Sequence, residues 1–286
     1  MLSFTRPLGR SSTVRWEITE IIAEGRTEHF VYLFFRTEEH GLCIALDGDI
    51  QSCEHDERIY HEMLVHPALA SHPNPRRVLI MGGGEGAVAR EVLRHPSIEH
   101  ITMVDIDREF VELCQRFAPH WSNGAFDDRR LNLVIADINQ FLQSTDDTFD
   151  IIIDDLTAVE GDVTPVPSLY DQGLFASIAK RLTESGLFVT QGGAIAPTAM
   201  AENHMVQSLL SPLFAETRSY AVPVPSYLAV WSFVLASQTA LGERAASDLA
   251  KAFKTRLNQR EIALEATGPE ALAAAFALPY WAQKRP

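Results

Sequence analysis

The sequence predicts an α/β chain: a doubly wound, mostly parallel sheet with an antiparallel edge, preceded by a small N-terminal β unit. Three observations carry that prediction. Arg77-Val-Leu-Ile-Met-Gly82 is a short apolar run that enters the turn Gly82-Gly-Gly-Glu-Gly86, beyond which Val88, Val92 and Leu93 recur at helical spacing. Apolar strands and amphipathic segments then alternate regularly, as a βαβ chain requires. Before residue 70 the pattern differs, with aromatic, β-prone runs set between turn signals.

In chain order, residues 14–23 mix apolar and charged positions, and Phe30-Val-Tyr-Leu-Phe-Phe35 and Leu42-Cys-Ile-Ala-Leu46 read as antiparallel strands. Their turns fall at Glu38-Glu-His-Gly41 and Asp47-Gly48. A helix is expected over 56–66, capped by Asp56 and stopped near Pro67, with Ser71-His-Pro-Asn-Pro75 as the linker into the sheet. Further helices are expected at 87–95, 108–117, 138–143 and 172–182. Strands are expected at 101–104, 131–135, 150–155 and 187–191. Segments 219–224 and 228–236 read as a closing antiparallel pair, and the Ala-rich tail as one or two surface helices. Two units follow: 1–70, a small β domain with a linking helix, and 71–286, a ligand-binding sheet domain.

Composition narrows the function classes. The chain has 286 residues, 46% apolar, and a formal net charge of −14, enough for a full core and contrary to a nucleic-acid surface. The three cysteines, Cys43, Cys53 and Cys114, have neither metal nor redox spacing, so a reducing, cytoplasmic setting and no metal are expected. There is no run of about 20 apolar residues for a membrane span, and Met1-Leu-Ser-Phe-Thr-Arg6 lacks a signal-peptide core.

The candidate site lies at the strand C-termini, where open α/β sheets bind ligands. Gly82, Gly84 and Gly86 let a ligand approach the backbone, and the following helix offers unpaired N–H groups. Gly82-x-Gly84-x-x-Ala87 also satisfies a dinucleotide fingerprint. Two more strand ends argue for a different ligand. Asp105 ends one strand, placed to hold a ribose diol; Asp137 ends the next, followed by apolar Ile138, suiting an adenine amino group beside a ring wall. With Glu85 in the glycine turn, the three acids fit an adenosyl-sulfonium ligand, S-adenosylmethionine or its decarboxylated form. Any one of them alone would more often be a helix cap.

Longer motifs extend this reading. Leu46-Asp-Gly-Asp-Ile-Gln51, Asp56-Glu-Arg-Ile-Tyr-His-Glu-Met-Leu-Val-His-Pro67, His72 to Gly86 and Arg90-Glu-Val-Leu-Arg-His-Pro96 closely resemble the polyamine aminopropyltransferases, the spermidine and thermospermine synthases, over roughly residues 20 to 237. The resemblance implies a class I methyltransferase-like (Rossmann-like) sheet domain, a small N-terminal β domain, and a homodimer or homotetramer. It also implies transfer of an aminopropyl group from decarboxylated S-adenosylmethionine to a small-molecule amine, leaving methylthioadenosine. Asp105 matches the family's ribose acid, Asp137 its adenine acid, and Glu85 the acid that holds the donor's ammonium. Tyr60 and His61 match the pair lining donor and acceptor sites, and Gln51 and Gln191 sit in matching segments.

Two departures stand beside these matches. Where the family reads Asp-x-x-Asp-Pro, the segment Phe149-Asp-Ile-Ile-Ile-Asp-Asp-Leu-Thr-Ala158 puts Asp155 at the first acid and Ala158 at the second, the expected general base. Phe30 replaces a glutamine in Thr27-Glu-His-Phe30. A protonated alkylamine has a pKa of about 10, so attack requires a base. Asp154, Asp155, Glu160 and Asp162 are the substitutes at hand, with Glu160 first. The catalytic set expected is therefore Tyr60, Asp155 and Glu160. Phe30, Leu156, Ala158 and Trp231 would make the acceptor side more apolar, admitting an aromatic acceptor. Two other readings remain open on the same scaffold. One uses S-adenosylmethionine itself for methyl transfer, cyclisation or elimination, with Arg58 or Arg90 meeting its carboxylate. The other is a ligand-binding homologue without catalysis.

Overall fold

The computed structural model describes residues 2–8, 12–157, 170–242 and 246–283. The chain opens with a hairpin, β1 (Ser3–Pro7) and β2 (Thr13–Glu17), followed by a four-stranded antiparallel meander of β3 (Glu20–Arg26), β4 (Val31–Thr37), β5 (Gly41–Leu46) and β6 (Asp49–Cys53). Sequence patterning missed β1 and β6, and took β2 and β3 together as the one stretch 14–23. β1, β2 and β6 are each five residues long, and β2 carries half-buried positions alternating with exposed ones, too short a stretch for periodicity to stand out.

Helix α1 (Glu57–Ser71) then leads to β7 (Arg77–Gly82). Two expectations about α1 are corrected. Asp56 makes no side-chain cap; its carboxylate instead accepts from the N–H and hydroxyl of Ser226, 2.6 and 3.0 Å away. Nor does Pro67 stop the helix, which runs another turn to Ser71. A proline within a helix leaves the carbonyl four residues earlier without its N–H donor. Here that carbonyl belongs to Met63, and the buried Tyr220 hydroxyl donates to it at 2.9 Å.

The βα alternation follows as α2 (Ala87–Leu93), β8 (His100–Asp105), α3 (Arg108–Phe117), α4 (Pro119–Ser122), β9 (Leu131–Ile135), α5 (Ile138–Ser144), β10 (Phe149–Asp155), α6 (Gln172–Lys180) and β11 (Leu182–Ala194). Helix α7 (Ala201–Leu210), β12 (Glu216–Val224) and β13 (Ala229–Ser237) complete the sheet, and α8 (Ala246–Gln259) and α9 (Pro269–Ala274) close the chain. Residues 181 and 182, read as helix, belong to the turn into β11 and to its first residue, and α7 was not foreseen.

The seven-stranded sheet has the order β12-β13-β11-β10-β7-β8-β9, parallel from β11 to β9 with β13 antiparallel to both its neighbours. The chain departs in opposite directions from β7, to β8 on one side and β10 on the other, so the crevice at the C-terminal ends of β7 and β10 is a topological switch point. Gly82 pairs with Asp155 across it.

The tail is helical as expected, but it is not a surface ornament. Leu249, Phe253, Leu257 and Leu272 are buried in the same apolar cluster as α1, β7 and β13. Each such side chain stabilises the fold by about 1.5–3 kcal/mol.

Candidate active site

The glycine turn is built by conformation and by clearance. Gly82 sits at φ +77°, and a Cβ there would lie 2.6 Å from the Asp155 carbonyl oxygen; at Gly84 a Cβ would meet the Phe110 ring at 2.8 Å. These contacts keep the turn open beneath a cavity of about 440 Å³. Gln51, Tyr60, Gly82, Gly84, Glu85, Asp105, Asp137, Asp155 and Gln191 all line it, so β6, α1, β7, β8, β10, β11 and the N-cap of α5 each deliver a sequence-predicted residue to one place.

The acids of this cavity crowd one another. Burial, with the Glu85 and Asp107 charges adding to it, raises Asp105 to about 6 even though it accepts the Asp107 N–H at 2.9 Å. Burial and the neighbouring Glu85 push Asp155 up to about 7, although the Tyr60 hydroxyl donates to it at 2.9 Å. Asp154, next to it but turned into the core, is raised by burial to about 6 and held by the Thr190 hydroxyl at 2.7 Å. Asp137 combines both roles foreseen for it, capping α5 through the Gln140 N–H at 3.0 Å while lining the cavity.

Two predicted ligand residues stand behind the wall. His61 is fully buried and does not line the cavity; one ring nitrogen meets Glu85 at 3.0 Å and the other Glu57 at 2.8 Å. Burial alone would discharge the imidazole, but the bonds to the two carboxylates hold its pKa up at about 10. Gly86 begins α2 in a left-handed conformation and packs against Ser122 and Phe126. The ligating atoms of His61, Glu85 and Asp155 lie within 4.8 Å of one another, a spacing a divalent ion could bridge. An imidazolium with both nitrogens donating has no lone pair for a metal, so the trio is better matched to holding charge and protons.

Sequence reasoning missed Glu57, although its i,i+4 spacing to His61 was a signal. Burial would raise its carboxyl, yet the bonds from His61 and Arg90 hold it down at about 2. Arg90, weighed as a partner for a ligand carboxylate, is instead buried against Glu57, Glu91 and the Trp121 carbonyl. Arg58 pairs with Glu265 at 3.1 Å. Tyr227, His29, Phe110 and Ile106 also line the cavity and carried no local motif. The Thr27 hydroxyl bonds Asp107, the N-cap of α3, which ties the segment carrying His29 and Phe30 over the cavity mouth. Phe30 and Leu156 line the cavity as foreseen, and Trp231 donates to the Gln191 side-chain oxygen at 3.2 Å. Ala158, Glu160 and Asp162 lie outside the described residues.

Comparison with known proteins agrees with this geometry. Residues 57–245 match the family model of the spermine/spermidine synthase domain. A polyamine aminopropyltransferase of Pseudomonas syringae pv. tomato is 42% identical over 217 residues, 75% of this chain and 73% of that one. Another, from Pectobacterium carotovorum subsp. carotovorum, is 37% identical over 270 residues, 93% of this chain and 91% of its own. The crystal structure of a spermidine synthase in complex with the transition state analogue AdoDATO superposes with a TM-score of 0.86 at 28% identity, covering 97% of this chain and 92% of that one.

Proposed function

This chain belongs to the spermine/spermidine synthase family, and we propose that it transfers an aminopropyl group from decarboxylated S-adenosylmethionine to a small amine, releasing methylthioadenosine. The observation that carries the reading is the charge of the cavity. Glu85, Asp105, Asp137 and Asp155 line it, and among the described residues that line it there is no Lys or Arg. Asp105 and Asp155, raised by burial and by the Glu85 charge, are relieved by a cation. The decarboxylated donor brings a sulfonium and an ammonium. S-adenosylmethionine adds a carboxylate, for which this lining offers no cationic partner, since Arg58 and Arg90 are engaged elsewhere.

The residues then divide by place. Asp105 and Asp137 take the ribose and adenine, Glu85 the donor's ammonium. His61, behind the wall, fixes one oxygen of Glu85, which lines the cavity. The donor supplies an activated carbon with a good leaving group; alignment of the attacking amine contributes much of the rate. Tyr60 and Asp155 sit where that amine must lose its proton. With its pKa near 7, Asp155 is matched to a general base at neutral pH. It therefore replaces Glu160 as first choice. We retain the division near residue 70 and a homo-oligomeric assembly as parts of the proposal.

Calorimetric titration of the two donors and of methylthioadenosine tests this. The decarboxylated donor should bind more tightly than S-adenosylmethionine, and Glu85→Gln should reduce its affinity by about 10- to 100-fold, the scale of a hydrogen bond to a charged group. Tighter binding of the carboxylated donor would overturn the reading in favour of methyl transfer or donor cyclisation.

A further inference from the structure

Behind Glu85 the charges run in a single alternating file. Glu85 meets Nε2 of His61 at 3.0 Å, Nδ1 of His61 meets Oε2 of Glu57 at 2.8 Å, and Glu57 accepts from both Nη atoms of Arg90, at 3.0 and 2.9 Å. Arg90 continues to Glu91 at 2.8 Å. Glu57, His61, Arg90 and Glu91 are buried, and none of them lines the cavity. The two-pronged pair with Arg90 leaves the Glu57 carboxylate a single orientation.

The His61 ring can donate to Glu85 in only one protonation state. Besides the carboxylate, Nδ1 lies 2.7 Å from the backbone carbonyl of Glu57. A carbonyl only accepts, so Nδ1 carries a proton whether the ring is charged or not. The second proton must then sit on Nε2 for the bond to Glu85 to form. A neutral ring would aim its Nε2 lone pair at the Glu85 carboxylate and push it from its place in the cavity wall. The charges facing the ring come from three elements: Glu57 on its own helix, Glu85 in the glycine turn, and Asp155 at the end of β10, which also accepts from the Tyr60 hydroxyl. Glu85 and Asp155 face the ligand. Glu57 alone of the three is paired to a fixed cation, Arg90.

We propose that Glu57 is a positioning residue for the donor: anchored by Arg90, it keeps both His61 nitrogens protonated, and His61 in turn holds Glu85 toward the donor's ammonium. This deepens the aminopropyltransferase reading above and rests on it. Glu57 itself touches no reacting atom.

The test compares affinity for the decarboxylated donor with affinity for methylthioadenosine, which shares the adenosyl group and lacks the ammonium. Glu57→Gln keeps the shape of the side chain and removes its charge. At pH 8 it should lower the donor-to-methylthioadenosine affinity ratio by about tenfold, the scale of a hydrogen bond to a charged group. Methylthioadenosine affinity should not change, and the donor KM should rise more than kcat falls. The pH dependence has a definite sign. In the wild type, against the pull of burial, the bonds to Glu57 and Glu85 raise His61 to about 10, so its hold on Glu85 is present below that pH and lost as pH rises through it. Without the Glu57 charge, burial draws the imidazole down. The ratio in Glu57→Gln should therefore match wild type near pH 6 and fall away from it as pH rises through neutrality. Glu57→Asp, which keeps the charge, should recover most of the ratio. In a Glu85→Gln background, Glu57→Gln should leave the ratio unmoved, because its route to the ligand is gone.

An equal loss of affinity for both ligands, or a ratio in folded Glu57→Gln equal to that of wild type at pH 8, overturns the assignment. Should the variant not fold, nitrogen-15 NMR of the wild-type histidines decides. His61, recognised by its contact with the Tyr60 ring 5.0 Å away, should carry a proton on each nitrogen at pH 8; a single ring proton overturns the proposal. Failure of the underlying reading has its own signature, a wild type that neither binds the decarboxylated donor nor releases methylthioadenosine from it.

Discussion

Asp155 carries the sharpest consequence at the scale of single residues. It ends β10, receives the Tyr60 hydroxyl, and is raised by burial and by Glu85. A base works only when unprotonated, so kcat/KM should climb as pH rises through about 7 and be lost below it. A bound dication will draw this limb of the kcat profile toward lower pH. Asp155→Asn should cut kcat by about 10²- to 10⁴-fold and flatten the acid limb. A limb that survives the substitution would place the base elsewhere, with Glu160 the next residue to replace. The need for a base was legible in the sequence, from Ala158 standing where an acid was expected. Asp155 was among the candidates named, but a preference for it over Glu160 was not legible, because a raised pKa depends on what surrounds Asp155 in space, and Glu85 is far from it in the chain.

Helix α1 is the element on which most of the site depends, since it presents Tyr60 to the cavity and His61 to Glu85. Its sequence contains a stop signal that the fold overrides. Pro67 deprives the Met63 carbonyl of a donor, and Tyr220 on β12 provides one from the side. Tyr220→Phe should leave that buried carbonyl unsatisfied and lower stability by about 1–3 kcal/mol in denaturant unfolding. An unchanged midpoint would mean that the helix tolerates the open carbonyl. Local signals placed most strands and helices from Arg77 onward within a few residues, because buried parallel strands and amphipathic helices write their periodicity into the chain. They erred at Asp56 and Pro67, where the partners Ser226 and Tyr220 lie more than 150 residues away.

For the whole molecule, the C-terminal helices act as a clamp on α1. The Glu62 carboxylate, fully buried, accepts from the N–H groups of Glu265, Ala266 and Thr267. From the other side, Arg260 donates to the carbonyls of Leu69, His72 and Pro73, and Arg256 to that of Ala70, at the end of the helix where unpaired carbonyls collect. Glu62→Ala should release this segment, destabilising the protein by about 1.5–3 kcal/mol, the range for hydrogen bonds to a charged group. Hydrogen exchange should speed up first in α8 and α9; uniform loss of protection would argue against a clamp. By itself the sequence determined the α/β class, the switch-point strand and its glycine turn, and the acids Glu85, Asp105 and Asp137, because each is fixed by its immediate neighbours. Only the tertiary structure decided that His61 supports Glu85 rather than lining the cavity, and that Arg90 turns inward to Glu57. Those roles arise from which distant side chains share one buried, weakly screened volume, and no local pattern encodes that.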